Sequence, residues 1–306
     1  RSGVPRDGAR CRACAEASTS TMRQIGAYLL VREVERVDHG EQGRTFVYEA
    51  RTVNSSKRCA LKVLMLPVMD ERTQREILRE ILLWSKLSHP AIVELYDAGV
   101  HDGLVWMAME WVEGFHLARH VEDERRAPLK PEEATKLMLP VVRAVELMHS
   151  KGMVHRDIKP QNILVDGTKK APSAKLCDFG IAKSLETAGV SFVTANEVKG
   201  TPGFMAPEQW TDSRSVGKPA DVWSLGTVLY WLLSQNLPHG PIEAAGDSFD
   251  VYGEMMRRAI EEPPVPLSTY GVSGDLCDVV YRCLAKRPAE RYADAGELRE
   301  ALEKIG

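Results

Sequence analysis

The amino-acid sequence predicts an α+β chain in two unequal parts: a small antiparallel β-sheet with one long helix, then a larger, mainly helical part. Three observations carry this prediction. Short runs rich in Val, Leu, Tyr and Trp, separated by polar turns, fill much of residues 27–112. A single segment of helical period interrupts them. After about residue 113 the helix-period segments become long and the strand-like runs stop.

Taken in order, residues 1–24 are rich in Arg, Ala, Ser, Thr and Gly without apolar period, and read as a flexible leader. Strand-like runs follow at 27–37, 44–53, 58–66, 91–100 and 104–112. The segment 71–87 places Ile77, Ile81, Trp84 and Leu87 near helical spacing, which makes it the one helix of the first part. In the second part, 131–152 reads as one long helix, kinked at Pro140 and closed by Gly152. Further helices are predicted over 218–234, 248–262, 273–286 and 293–305, with Pro-rich 261–271 as a connection.

The bulk properties exclude several classes. A chain of 306 residues, 44% apolar and 27% charged, can bury two real cores. A net charge of −3 gives no field that would recruit nucleic acid or an acidic membrane. Six scattered cysteines are no disulfide framework and point to a reducing, cytoplasmic setting. The longest apolar run, 222–233, is too short to span a bilayer and is broken by Gly226. No signal peptide is recognisable. The chain opens on Arg1 rather than methionine, which is compatible with a piece of a longer protein, and a membrane tether outside it stays open.

Four stretches bear residues suited to phosphate chemistry. "VHRDIKPQN" (154–162) sets an acid, a cation and an amide at Asp157, Lys159 and Asn162, with Pro160 stiffening the run. "GEQGRTFVYEA" (40–50) has Gly40 and Gly43 where a backbone could approach phosphates closely, although a polar hairpin would look the same. "CALKVL" (59–64) puts Lys62 in an apolar strand, on the same face as Ala60. Such a lysine is an edge solubiliser or, if turned inward, needs an anionic partner. Glu80 and Glu76, on the predicted helix, are both candidates. "KLCDFGIAK" (175–183) presents Asp178 at a turn, as an Asx-turn or as a carboxylate ligand for Mg²⁺ to which Asn162 adds an oxygen.

The ordered set strongly resembles the eukaryotic-type serine/threonine protein kinase family, from about Tyr28 to Leu302. "HRDIKPQN" is similar to that family's catalytic loop, "DFG" to its metal-binding turn and "FMAPE" (204–208) to the end of its activation segment; "DVWSLG" (221–226) and Arg291 match two later landmarks. The resemblance implies a two-lobed protein kinase-like fold, with the kinase domain over 25–306, an N-lobe of about 25–112 and a C-lobe of about 113–306. It implies ATP and Mg²⁺ as cofactors, with Mn²⁺ as a substitute, and a protein substrate offering a Ser or Thr hydroxyl.

Roles carry over residue by residue. Asp157 would orient the attacking hydroxyl, Lys159 would neutralise the γ-phosphate, and Asn162 and Asp178 would hold the metal. Lys62 would bind the α/β-phosphates, paired with Glu80, which counting back from "HP" (89–90) favours over Glu76. Val47, Ala60 and Leu164 would sandwich adenine, Met109 would be the gatekeeper, and the backbone of Glu110 to Val112 would read the base. Gly40 and Gly43 would cover the phosphates, with Gln42 and Thr45 standing where the family has glycine. His155, Phe179, Asp221 and Trp223 are expected to support the loops. Lys159 and Thr201 fit the serine/threonine group, whereas Gln161 gives no support for a basic consensus.

The arginine before the catalytic acid, Arg156, would bind an activation-segment phosphate in the family. Here Glu197 stands four before Thr201 and is expected to replace that phosphate in part, with Thr187, Ser191 and Thr194 as phosphorylation candidates. Cys177 is expected to border the nucleotide, and "CRAC" (11–14) is half of a zinc ribbon without a second pair. Autophosphorylation in a homodimer fits the family. The alternative is a pseudokinase acting as a nucleotide-binding scaffold, for which the degenerate glycine loop is the only support. A small-molecule phosphotransferase is disfavoured by the long segment 178–208.

Overall fold

The computed structural model describes residues 24–38, 43–65, 71–119, 121, 127–167, 173–178, 202–211, 216–240 and 248–305. The chain forms two compact units, residues 1–79 with 95–111 and residues 80–94 with 112–306.

The first unit is built on six antiparallel strands: β1 (Gln24–Ile25), β2 (Tyr28–Asp38), β3 (Arg44–Thr52), β4 (Arg58–Met65), β5 (Leu95–His101) and β6 (Leu104–Glu110). They lie in the order β1-β2-β3-β4-β6-β5. Only β1 and the late start of β5 depart from the expected runs. Gln24 pairs with Leu29, so the sheet begins one residue inside the expected leader. Residues 91–94 instead belong to the second unit. One sheet face carries a core of Tyr28, Phe46, Ala50, Cys59, Leu61, Val63, Trp106 and Ala108. Gly99 is required by that core, because a Cβ there would lie 2.9 Å from the Trp106 ring. Helix α1 (Glu71–Trp84) buries Ile77, Ile81 and Trp84, the stripe its sequence period predicts.

The second unit begins with the last turns of α1. Trp84 Nε1 donates to Val93 O at 3.0 Å, and Val93 N–H donates to Leu176 O at 2.9 Å. A three-stranded antiparallel sheet follows, β7 (Gly114–His116), β8 (Ile163–Asp166) and β9 (Ser173–Leu176), in that order. Among the described residues the unit's longer helices are α2 (Pro131–Ser150), α3 (Pro207–Thr211), α4 (Lys218–Ser234), α5 (Ser248–Glu261), α6 (Asp275–Cys283) and α7 (Ala295–Ile305). Helix α2 runs unbroken through Pro140. The carbonyl that proline leaves without its N–H partner belongs to Lys136, which is exposed, so water can serve it.

Helix α4 is buried on every side, which explains why its sequence is apolar without a stripe. Two of its polar residues turn inward on their own helix: Thr227 and Ser234 donate to the carbonyls of Trp223 and Tyr230. Gly226 lets α6 approach, since a Cβ at that position would sit 2.3 Å from Cys283 Cβ. Around Trp223 gather the Arg291 guanidinium at 5.0 Å and the Lys286 ammonium at 5.3 Å from the ring centroid, with His239 stacked on the indole. Burial, aided by the Arg291 charge, pushes Lys286 down to about 8. Among the described residues no helix is long and apolar enough to cross a membrane.

Candidate active site

The loop of residues 154–162 is held from beneath by one buried carboxylate. Asp221, in the first turn of α4, is fully buried. Its Oδ2 accepts the His155 N–H at 2.8 Å and its Oδ1 the Arg156 N–H at 2.7 Å. His149, near the end of α2, completes the set with Nε2 at 2.9 Å from Asp221 Oδ2. The Ala295 N–H donates to His149 Nδ1 at 3.1 Å, so the proton of this imidazole resides on Nε2 and is donated to the acid. One carboxylate thus ties α2, α4, α7 and the loop together.

His155 carries the same logic upward. Its Nδ1 accepts the Asp157 N–H at 3.3 Å and its Nε2 faces Cys177 O at 3.1 Å. Arg156 takes a left-handed backbone, with φ of 69°. That conformation costs a non-glycine residue about 1–2 kcal/mol. The hydrogen bonds on either side of it offset the strain.

Asp157, Lys159 and Asn162 come together as a cluster. Lys159 Nζ lies 3.1 Å from Asp157 Oδ2. Asn162 Nδ2 donates to the same oxygen and to the Asp157 carbonyl, each at 2.8 Å. The short turn Pro160–Asn162 sets this spacing, with Pro160 at its first position, where a missing N–H is tolerated. The amide nitrogen of Asn162 is engaged with Asp157, so its Oδ1 is the atom that would meet a cation.

Asp178 is brought to the neighbouring backbone. Ile163 pairs with Leu176 in the β8–β9 ladder. The Cys177 N–H donates to Asn162 O at 2.9 Å, and the Cys177 thiol donates to the same carbonyl at 3.3 Å. Cys177 is therefore a buried structural contact immediately before Asp178, whose own φ is 62°. A carboxylate and an amide oxygen on adjacent backbone suit a hard divalent cation such as Mg²⁺, which takes few protein ligands and completes its shell with water and phosphate. No cluster of three or more His, Cys, Asp or Glu that could cage a metal occurs among the described residues.

Downstream, residues 202–211 are anchored to the helical unit. Arg291, 2% exposed, donates through Nη1 and Nη2 to the two Glu208 oxygens at 2.7 and 2.8 Å. Ser224 Oγ donates to Phe204 O at 2.8 Å. Gln209 joins this segment to the loop above, donating from Nε2 to Arg156 O at 2.8 Å. Sequence reasoning missed Gln209, and a side-chain bond across 53 positions leaves no local signal. The Arg156 guanidinium donates to Val216 O at 3.0 Å. Glu197, Thr201 and the phosphorylation candidates Thr187, Ser191 and Thr194 lie outside the described residues, as do Phe179 and the cysteines of "CRAC".

The first unit orders its own candidates by register. Val47 stands opposite Lys62 and Glu49 opposite Ala60 across β3 and β4. Lys62 stands opposite Met107 and Ala60 opposite Met109 across β4 and β6. Alternation then puts Val47, Ala60, Lys62 and Met109 on one sheet face, the reverse of the face carrying Phe46, Leu61 and Trp106. On that same face Glu49 accepts from Arg32 at 2.7 Å and from Arg58 at 2.8 Å, and these hydrogen bonds hold its carboxyl below the usual range despite burial. Both guanidiniums lie over Trp111, which follows Glu110. Gly43 has φ of 118°, a conformation only glycine adopts freely. Gly40 lies outside the described residues, as do the side chains of Glu76 and Glu80, although both acids are on α1. In the second unit, Val112 precedes β7, and Leu164 on β8 stands opposite His116 and Lys175.

Comparison with known proteins places these observations in context. The protein kinase domain family matches residues 32–304. The serine/threonine-protein kinase pkn3 of Myxococcus xanthus is 33% identical over 274 residues, covering 87% of this chain and 48% of that protein. The serine/threonine-protein kinase PknB of Mycobacterium tuberculosis is 34% identical over 273 residues, covering 87% and 41%. The chain thus spans less than half the length of these relatives. Among solved structures, the Mycobacterium tuberculosis PknI kinase domain superposes with a TM-score of 0.68 at 26% identity, covering 92% of this chain and 98% of that one.

Proposed function

Because this chain belongs to the protein kinase family, in its serine/threonine group, we propose that it transfers the γ-phosphate of ATP to Ser and Thr hydroxyls of protein substrates, its own included. The kinase domain is taken as residues 25–306, with an N-lobe of about 25–112 and a C-lobe of about 113–306. One observation carries the reading: the Asp157 carboxylate is held by Lys159 and Asn162 on a loop whose backbone hangs from Asp221.

In this reading Asp157 accepts and orients the proton of the attacking hydroxyl. Lys159, already beside Asp157, offsets charge on the transferred phosphoryl group. Asn162 Oδ1 and the Asp178 carboxylate are the oxygens that would hold Mg²⁺, which when bound neutralises phosphate charge; Mn²⁺ has the same ligand preference. Lys62 would contact the α/β-phosphates, with Glu80 as its counter-ion, and Gly40 and Gly43 would cover the phosphates. Val47, Ala60 and Leu164 would contact adenine. Met109 limits the depth of the base, and the backbone of Glu110 to Val112 reads it. Against a scaffold without transfer activity, whose one support is the degenerate glycine loop, Lys62, Glu80, Asp157, Asn162 and Asp178 are all present.

The test is incubation with Mg²⁺-ATP and a generic protein substrate, parent beside Asp157→Asn. Parent incorporation on Ser or Thr, with a loss of about 10²-fold or more in the variant, is the expected result. Equal incorporation by both proteins would overturn the assignment of Asp157. ATP binding without any transfer by the parent would overturn the proposed activity.

A further inference from the structure

Asp157 follows a residue whose backbone is strained. Arg156 sits in the left-handed region, which any side chain with a Cβ resists, and such a residue keeps its place only when its surroundings hold it. Its N–H is held by Asp221 Oδ1 at 2.7 Å and its guanidinium by Val216 O at 3.0 Å. Its carbonyl is held by Gln209 Nε2 at 2.8 Å. Gln209 is the third residue of α3, and its Oε1 accepts the Ala206 N–H at 3.0 Å, the reach-back half of a capping box. The amide orientation is therefore fixed. Turned over, it would set NH₂ against an N–H and a carbonyl oxygen against another.

We propose that Gln209 is a positioning residue for phosphoryl transfer: its carboxamide joins the anchored segment 202–211 to the Arg156 carbonyl and so fixes the peptide that carries Asp157. The inference rests on the phosphotransferase reading above. Segment 202–211 does not need Gln209 to stay in place, because Glu208 is bound by Arg291 and Phe204 by Ser224. Losing the amide frees the loop end of the bridge while the segment end stays anchored. Asp157 then samples orientations away from the attacking hydroxyl. This lowers turnover without touching nucleotide affinity, since displacements of about 1 Å at a reacting group suffice for large rate losses.

The experiment measures steady-state kinetics of the parent, Gln209→Met and Gln209→Glu beside Asp157→Asn, with thermal melting of each. Methionine keeps the volume and removes both polar contacts. Its kcat is expected to fall about 10-fold or more, with KM for ATP within about twofold of the parent. Glutamate keeps the Ala206 bond but sets a carboxylate oxygen against Arg156 O, whereas its protonated form donates there. The ratio of Gln209→Glu to parent kcat should therefore rise several-fold from about pH 8 to about pH 6, because a carbonyl facing the carboxyl raises its pKa. The Gln209→Met ratio should stay flat over that range. Turnover of Gln209→Met within twofold of the parent, or a flat Gln209→Glu ratio, would overturn the proposal. A fall in kcat matched by a rise in KM and a lower melting point would reduce Gln209 to a helix cap. Absence of transfer by the parent would remove the phosphotransferase reading itself, and the proposal with it.

Discussion

Replacing Asp221 with asparagine changes one oxygen to NH₂ at a fully buried site that receives three donors. The amide has one carbonyl oxygen left. If it faces His149 Nε2 and the His155 N–H, as Oδ2 does now at 2.9 and 2.8 Å, the NH₂ meets the Arg156 N–H at 2.7 Å. If it faces Arg156, two donors are stranded instead. His149 cannot escape by changing tautomer, because its Nδ1 already receives the Ala295 N–H. The first orientation therefore prevails, and one buried N–H is left against a donor, at about 1–3 kcal/mol. The two surviving bonds lose their ionic character, which roughly halves them. Against this, the fold no longer desolvates a carboxylate. The net expectation is a loss of about 2–3 kcal/mol in urea denaturation. The lost bond is one of those that hold Arg156 in its left-handed conformation, so kcat should fall about 10²-fold while KM for ATP stays within a few-fold. A variant that unfolds at the parent's urea midpoint and turns over within threefold would refute the argument that this carboxylate holds the loop.

Two further outcomes follow from packing and charge. Gly226→Ala should destabilise by about 1–3 kcal/mol, since its Cβ would lie 2.3 Å from Cys283 Cβ; Cys283→Gly should restore stability and Cys283→Ala, which keeps that Cβ, should not. His239 is held down to about 4, first by burial and then by the Lys286 charge. Its folded value thus lies below the unfolded value of about 6.5, so the unfolded chain binds the extra proton and stability is lost as pH falls from about 6.5 towards 4. Unfolding free energies from urea denaturation down that range should fall further for the parent than for His239→Phe, by on the order of 2 kcal/mol, and parallel curves would contradict the assignment.

Most of the fold was legible because its signals are local. The five strand-like runs correspond to β2–β6, and the stripe Ile77, Ile81, Trp84 was readable as one buried helix face. Helix boundaries shifted where chain ends meet other segments. Helix α1 stops at Trp84, whose indole is bonded to Val93, rather than continuing to Leu87. Helix α6 runs from Asp275 to Cys283 within an expected span of 273–286. Strands β7, β8 and β9 have three or four residues each, too few for an alternation to register, and exist through pairings such as Phe115 with Val165. In the candidate site, Asp157, Lys159 and Asn162 were readable because they share one short turn. His149 carries no local signal, and only its bond to Asp221, 72 positions away, gives it a role.

The buried polar residues of the second unit separate into two kinds, and the separation marks where function resides. Thr227 and Ser234 return their hydroxyls to carbonyls one turn back, so their burial needs nothing from distant elements. His149, His155, Asp221, Ser224 and Arg291 reach partners on other elements, and Asn162 reaches Asp157 on its own loop. Each of these would be costly to bury alone. His149, His155, Asn162 and Asp221 are satisfied in bonds that meet around Arg156 and Asp157, beside two of the five described non-glycine residues with positive φ, Arg156 and Asp178. Strain of this kind persists only where surrounding bonds over-determine it. The polar network is therefore best understood as the support that lets a left-handed residue stand next to a catalytic acid. Relaxing the strain directly gives the final test of that view. Arg156→Gly removes the steric cost but also the guanidinium bond to Val216. Arg156→Ala removes the same bond and keeps the cost, so Gly should be the more stable of the two by about 1 kcal/mol, where in an ordinary loop position its greater unfolded-state freedom would make it the less stable.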